Sequence, residues 1–197
     1  MTWWSFFERG GFVMWPILLC SILGVAIFLN RLFVIWRLKK ECSSLLKSDL
    51  KKIGELETLA EQDGFLALLT REITSLRCKD RDLVQSVLEH LIDQQLSRAS
   101  RYLDHLLTLG SVAPLLGLLG TVIGLIKAFM VVEKAGGKVN ASMLAGGIWE
   151  AMLTTALGLG VAIPLTIGYR YLVSLIRDYE ATLEEIAIGI LKVLSQR

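Results

Sequence analysis

Two long apolar stretches fill the second half of the chain, at about residues 105–131 and 146–172, with a short polar loop between them. No Asp, Glu, Lys or Arg occurs over residues 105–126, nor over an earlier stretch at 10–30. Each run is about the ~20 residues a helix needs to cross a hydrocarbon core of ~30 Å. The pattern predicts an all-α membrane protein with three transmembrane helices, over 13–35, 105–131 and 146–172.

Apolar periodicity continues beyond the spans. Leu88, Ile92, Leu96, Ala99, Leu103 and Leu106 recur at spacings of three and four with no Gly or Pro among them, which predicts one helix from about 82 to 131, ~75 Å long at 1.5 Å per residue. Ile176, Tyr179, Leu183, Ile186, Ile190 and Val193 extend the third span in the same way to the C-terminus. The second and third helices are thus expected to extend far into the cytoplasm. Weaker patterns at Leu45, Leu46, Leu50, Ile53 and Leu56, and at Phe65, Leu66, Leu69, Ile73 and Leu76, read as short amphipathic cytoplasmic helices. The acidic residues Glu55, Glu57, Glu61 and Asp63 among them favour packing on the long helices over lying on the membrane.

Charge supplies the orientation, because basic residues are retained on the cytoplasmic side. Arg31, Arg37, Lys39 and Lys40 follow the first span, Arg98 and Arg101 precede the second, and Arg170 and Arg177 follow the third. Only Arg9, Lys134 and Lys138 stand at the opposite ends. The expected layout is an N-terminus outside (1–12), a cytoplasmic helical region (36–104), an outer loop (132–145) and a cytoplasmic C-terminal helix (173–197). Trp3, Trp4, Phe6 and Phe7 suit an interfacial belt rather than a cleaved signal, and the run before Cys20 lacks the small residue of a lipoprotein site. The net charge of +2 and the lack of a basic run interleaved with aromatics give no footing for nucleic acid. Cys20, Cys42 and Cys78 imply neither a disulfide nor a metal framework. No convergent Ser/His/Asp set or phosphate loop is present, so neither an enzyme nor a cofactor is expected.

Within the spans, Gly110, Ala113, Gly117, Gly120, Gly124 and Ala128 form one stripe of small residues, and Gly147, Ala151, Thr155, Gly158 and Ala162 another. Such stripes let helix backbones approach closely in lipid. Counted from the loop, Thr121 and Thr155 fall at nearly the same depth, with Thr154 beside the second. Glu150 is the only charged residue between Lys138 and Arg170, and a charge at membrane depth costs at least ~2.5 kcal/mol on insertion scales. It lies about 40° from Thr154 and about 140° from Thr155 around the helix. Structural pairing, lining of an aqueous entrance and proton transfer all remain open for it. Lys127 and Arg31 are expected to snorkel to the outer and inner interfaces. Pro16, Pro114 and Pro164, one per span, each remove a backbone donor and invite a kink. Pro114 stands seven positions before Thr121, so its freed carbonyl is expected on the side carrying that hydroxyl.

The run Ala113-Pro114-Leu115-Leu116-Gly117-Leu118-Leu119-Gly120-Thr121-Val122-Ile123-Gly124 resembles the second span of the ExbB/TolQ/MotA proton-channel family. The resemblance continues through Gly147-Ile148-Trp149-Glu150-Ala151-Met152-Leu153-Thr154-Thr155-Ala156-Leu157-Gly158-Leu159 and Val161-Ala162-Ile163-Pro164. With Gly10-Gly11 and Met14-Trp15-Pro16 ahead of the first span, it is nearest the ExbB branch. The resemblance implies a homopentamer whose second and third helices line a pore around the single spans of two ExbD-like subunits, each bearing a transmembrane Asp. It also implies the bacterial inner membrane, with the outer loop and N-terminus periplasmic, and a TonB-like partner on which proton-motive force does mechanical work. Thr121 and Thr155 match the pore threonines, and Glu150 the acidic position of the third span. Trp149 departs from the small polar residue of many relatives. A TolQ-like role in envelope maintenance and a non-conducting membrane scaffold are the alternatives.

Overall fold

The computed structural model describes residues 11–47, 81–135 and 140–195. The N-terminal aromatics, Cys78, most of the first short amphipathic pattern and all of the second lie outside the described residues. Among those described there are four helices: α1 (Met14–Lys47), α2 (Arg81–Ser100), α3 (Leu103–Lys134) and α4 (Ala141–Ser195). Three candidate spans, Met14–Lys40, Leu83–Lys134 and Leu144–Gly189, are long and apolar enough to cross a membrane.

The chain divides into two units, Met1–Asn30 with Tyr102–Arg170, and Arg31–Arg101 with Tyr171–Arg197. In the first, α1 meets α4 where Leu165 covers Gly24 and Phe28 covers Gly168. Its α3 and α4 close on each other through their small residues: Gly110, Ala113, Gly117, Gly120, Gly124 and Ala128 are all buried, opposite Ala151, Thr154, Gly158 and Ala162. Large apolar side chains point the other way, with Leu115, Leu118, Val122, Ile126 and Phe129 on α3 exposed, and Met152, Leu159 and Ile163 on α4. That inside-out distribution is what lipid demands, since close backbone packing replaces hydrophobic drive there.

The second unit packs like a soluble protein. Val84, Leu88, Leu91 and Ile92 of α2 bury against Tyr179, Leu183, Ile186 and Ala187 of α4. Both stripes read from the sequence supply this core, and Lys39 pairs with Asp178 at 3.0 Å on its surface.

Three expectations are corrected. The helix expected over 82–131 is broken at Arg101 and Tyr102. Tyr102 takes a left-handed conformation (φ 67°, ψ 1°), and its carbonyl accepts from Leu106 N–H at 3.2 Å, opening α3. Arg31 does not snorkel: it is 8% exposed, and Nη1 donates to Arg98 O at 3.2 Å. That carbonyl is among the last four of α2, which lack an intrahelical donor, and a cation is favourable at that helix end. Finally, Pro16 falls in the first turn of α1, where its missing N–H removes no ladder bond. Pro114 and Pro164 sit inside α3 and α4, each of which continues as a single helix through its proline.

Candidate functional site

The hairpin register fixes where each hydroxyl points. A Cβ added at Gly117 would lie 3.0 Å from Thr155 Cα and 3.1 Å from Thr154 O, and one at Gly124 would lie 2.7 Å from Gly147 O. One at Gly158 would lie 2.6 Å from Ala113 O. Gly117, Gly124 and Gly158 are therefore places where one backbone rests on the other, and only a hydrogen fits.

Of the two adjacent threonines, Thr154 is the one on the packing stripe. It is fully buried, fills the space over Gly120, and keeps its hydroxyl for its own helix, donating to Glu150 O (3.1 Å) and Ala151 O (2.9 Å). The stripe read from spacing has Thr155 in that place. Thr155 instead flanks the seam, half-buried, and donates across it to Gly117 O at 3.1 Å. Thr121, also half-buried, donates to Leu118 O at 2.6 Å on its own helix. With Gly120 opposite Thr154, Thr121 and Thr155 sit two residues apart in depth, ~3 Å.

The carbonyl that Pro114 deprives of its ladder donor belongs to Gly110, more than two turns before Thr121. The hydroxyl nearest a Cβ built at Gly110 is that of Thr166, at 3.2 Å. Thr166, which spacing and charge do not single out, donates to Ala162 O at 2.9 Å, two residues before Pro164.

Toward the α3–α4 loop, Glu150 does not stand alone. Lys127 Nζ donates to Glu150 Oε1 at 2.6 Å, and the Glu150 side chain is only 14% exposed against 50% for Lys127. Gly11, with φ +69°, lies directly against the Glu150 carboxylate; a Cβ there would meet Oε1 and would come 2.8 Å from Cδ. Sequence reasoning gives Lys127 no role beyond snorkelling and Gly11 none beyond the motif. The signal is nonetheless present, because pairing the small-residue stripes places position 127 beside position 150.

Residues 56–185 match the MotA/TolQ/ExbB proton channel family. The chain belongs to that family. Several relatives carry ExbB names. It is 34% identical to the putative ExbB-like 1 biopolymer transport protein of Synechocystis sp. over 86% of this chain and 70% of that one. It is 30% identical to biopolymer transport protein exbB1 of Vibrio cholerae, over 84% and 76%. With biopolymer transport protein ExbB of Salmonella typhimurium the identity is 26%, over 93% and 81%. As a MotA/TolQ/ExbB protein the chain is a channel-family membrane subunit and not an enzyme. Among the described residues no group of three or more His, Cys, Asp or Glu side chains is placed to hold a metal. Trp149 is 49% exposed.

Proposed function

We propose that this chain is an ExbB-like subunit of an inner-membrane proton channel and motor, converting proton-motive force into mechanical work on a TonB-type partner for outer-membrane uptake. It assembles as a homopentamer around ExbD-like single spans that carry a transmembrane Asp, with its N-terminus periplasmic and its C-terminus cytoplasmic. Thr121 and Thr155 line the path that this Asp faces, while Thr154, Gly117, Gly120, Gly124 and Gly158 hold the wall closed. A proton crossing ~100 mV yields ~2.3 kcal/mol, enough to bias two ring positions of similar energy.

One observation carries the reading. The α3–α4 seam presents two half-buried hydroxyls at similar depth, yet Glu150 is the only carboxylate from Lys138 to Arg170 and already has Lys127 as its partner. A proton path along this wall therefore needs an acid from another chain.

The test is to express the full chain with a single-span, Asp-containing partner from the same genome, measure the native mass in detergent, and record proton flux in proteoliposomes. A pentamer that retains its partner, with flux reduced about tenfold by Thr155→Ala, is expected. Full flux in the Thr121→Ala, Thr155→Ala double variant would overturn the reading. A stable oligomer that never holds such a partner would point to a scaffold.

A further inference from the structure

We infer that Lys127 and Glu150 act as a fixed positioning pair at the loop end of the α3–α4 hairpin, and that Glu150 is not a carrier of the transported proton. The inference rests on the motor reading above for its main readout, and it selects among the three roles left open for this carboxylate.

Three features of the site favour an anchor. First, the ion pair is short, 2.6 Å from Nζ to Oε1, and joins two helices across 23 residues of sequence. It lies beside the tightest part of the seam, where Gly124 rests on Gly147 and Ala151, and Gly147 on Ala128. Small-residue contacts alone tolerate sliding by one turn, because glycine and alanine recur at spacings of three and four. A single cation opposite a single anion does not. Second, Gly11 sits on the carboxylate from a third segment, three residues before α1 begins. The positive φ favours glycine there, and the lack of room for a Cβ requires it. A carboxylate enclosed by an ammonium and a closely fitted backbone is held in one place, whereas a shuttle needs room to turn. Third, the two partners differ in exposure. Glu150 is nearly enclosed, and Lys127 is half open.

That difference in exposure makes the two roles separable. If Glu150 is an anchor, Lys127→Gln is the more damaging single change, because it strands an enclosed carboxylate. Glu150→Gln is milder, because the long stem of Lys127 can carry its charge to the interface. If Glu150 carries the proton, the order reverses, since Gln cannot exchange one.

Proton flux across pH is measured in proteoliposomes holding the full complex, with native mass as the check on assembly. The expected order is wild type, then Glu150→Gln, then Lys127→Gln, the last lower by about tenfold. The neutral Lys127→Gln, Glu150→Gln pair is expected within about threefold of wild type, with the midpoint of its pH profile unmoved. The exchanged Lys127→Glu, Glu150→Lys pair should recover most of what Lys127→Gln loses. Loss of flux in an assembled neutral pair, or a Glu150→Gln variant worse than Lys127→Gln, would overturn the inference. If an exchanged pair fails to assemble, the neutral pair decides. A wild-type complex that passes no protons would instead sink the motor reading. The anchor would then be judged by thermal melting of wild type, the two single Gln variants and the neutral pair: non-additive shifts support it, and additive ones refute it.

Discussion

At the scale of single residues, the hairpin depends on which glycines meet the neighbouring helix. Gly120 and Gly158 have no room for a methyl: a Cβ at Gly120 would lie 2.5 Å from Thr154 Cβ, and one at Gly158 would lie 3.1 Å from Gly117 Cα. Neither neighbour is the free end of a flexible side chain, so the helices themselves must separate. Gly160, in the same helix as Gly158, has nothing within 4 Å of the place a methyl would occupy. Gly120→Ala and Gly158→Ala are each expected to destabilise by ~1–3 kcal/mol, as overpacking does. Gly160→Ala should be neutral or stabilising by up to ~1 kcal/mol, since alanine is the better helix former. Thermal melting in detergent distinguishes them, and equal melting temperatures for Gly158→Ala and Gly160→Ala would refute the seam. Glycine spacing in the sequence marks both stripes correctly, but it cannot separate Thr154 from Thr155. They are neighbours whose fates turn on about 100° of helix rotation.

At the scale of elements, the break at Arg101 and Tyr102 is invisible to periodicity. The apolar positions on either side, Ala99 and Leu103, stay in step and are both buried, and no Gly or Pro marks the site. A left-handed non-glycine residue costs ~1–2 kcal/mol and is selected by surrounding structure rather than by its own preference. Arg31 shows the same limit. A basic residue at the end of an apolar run reads as an interfacial anchor, yet its guanidinium is buried against Arg98 O. Arg31→Met should preserve much of the packed stem and lose the charged hydrogen bond, a cost of ~1.5–3 kcal/mol. Hydrogen exchange at the C-terminal end of α2 should rise in this variant. Unchanged exchange there would mean that the bond contributes nothing.

At the scale of the whole molecule, the membrane-spanning character is plain in the sequence because it is written in runs of ~20 residues, whereas the Lys127–Glu150 pair joins positions 23 apart and requires the hairpin register. In the most apolar stretches of the three spans, only 22%, 22% and 33% of residues are buried within the chain. The remaining surface must meet lipid or other subunits. Trp15 and Trp149 are 61% and 49% exposed. They stand close in sequence to Gly11 and Glu150, which touch, so both belong to the same end of the first unit. Aromatics of this kind sit at the headgroup level. Single-tryptophan variants retaining either one should be quenched more by lipids brominated near the glycerol than near the chain terminus. The opposite order would place that end at the bilayer centre.

The hydrogen of Thr155 is committed to Gly117 O, and that of Thr121 to Leu118 O. A hydroxyl has one hydrogen and two lone pairs, so both threonines offer only lone pairs to anything that comes alongside. They can greet a visitor that brings its own hydrogen and have nothing to give one that does not. A neutral carboxylic acid qualifies, and a bare carboxylate is turned away. On the function proposed above, the wall would tell a loaded acid from an empty one without exchanging a proton itself.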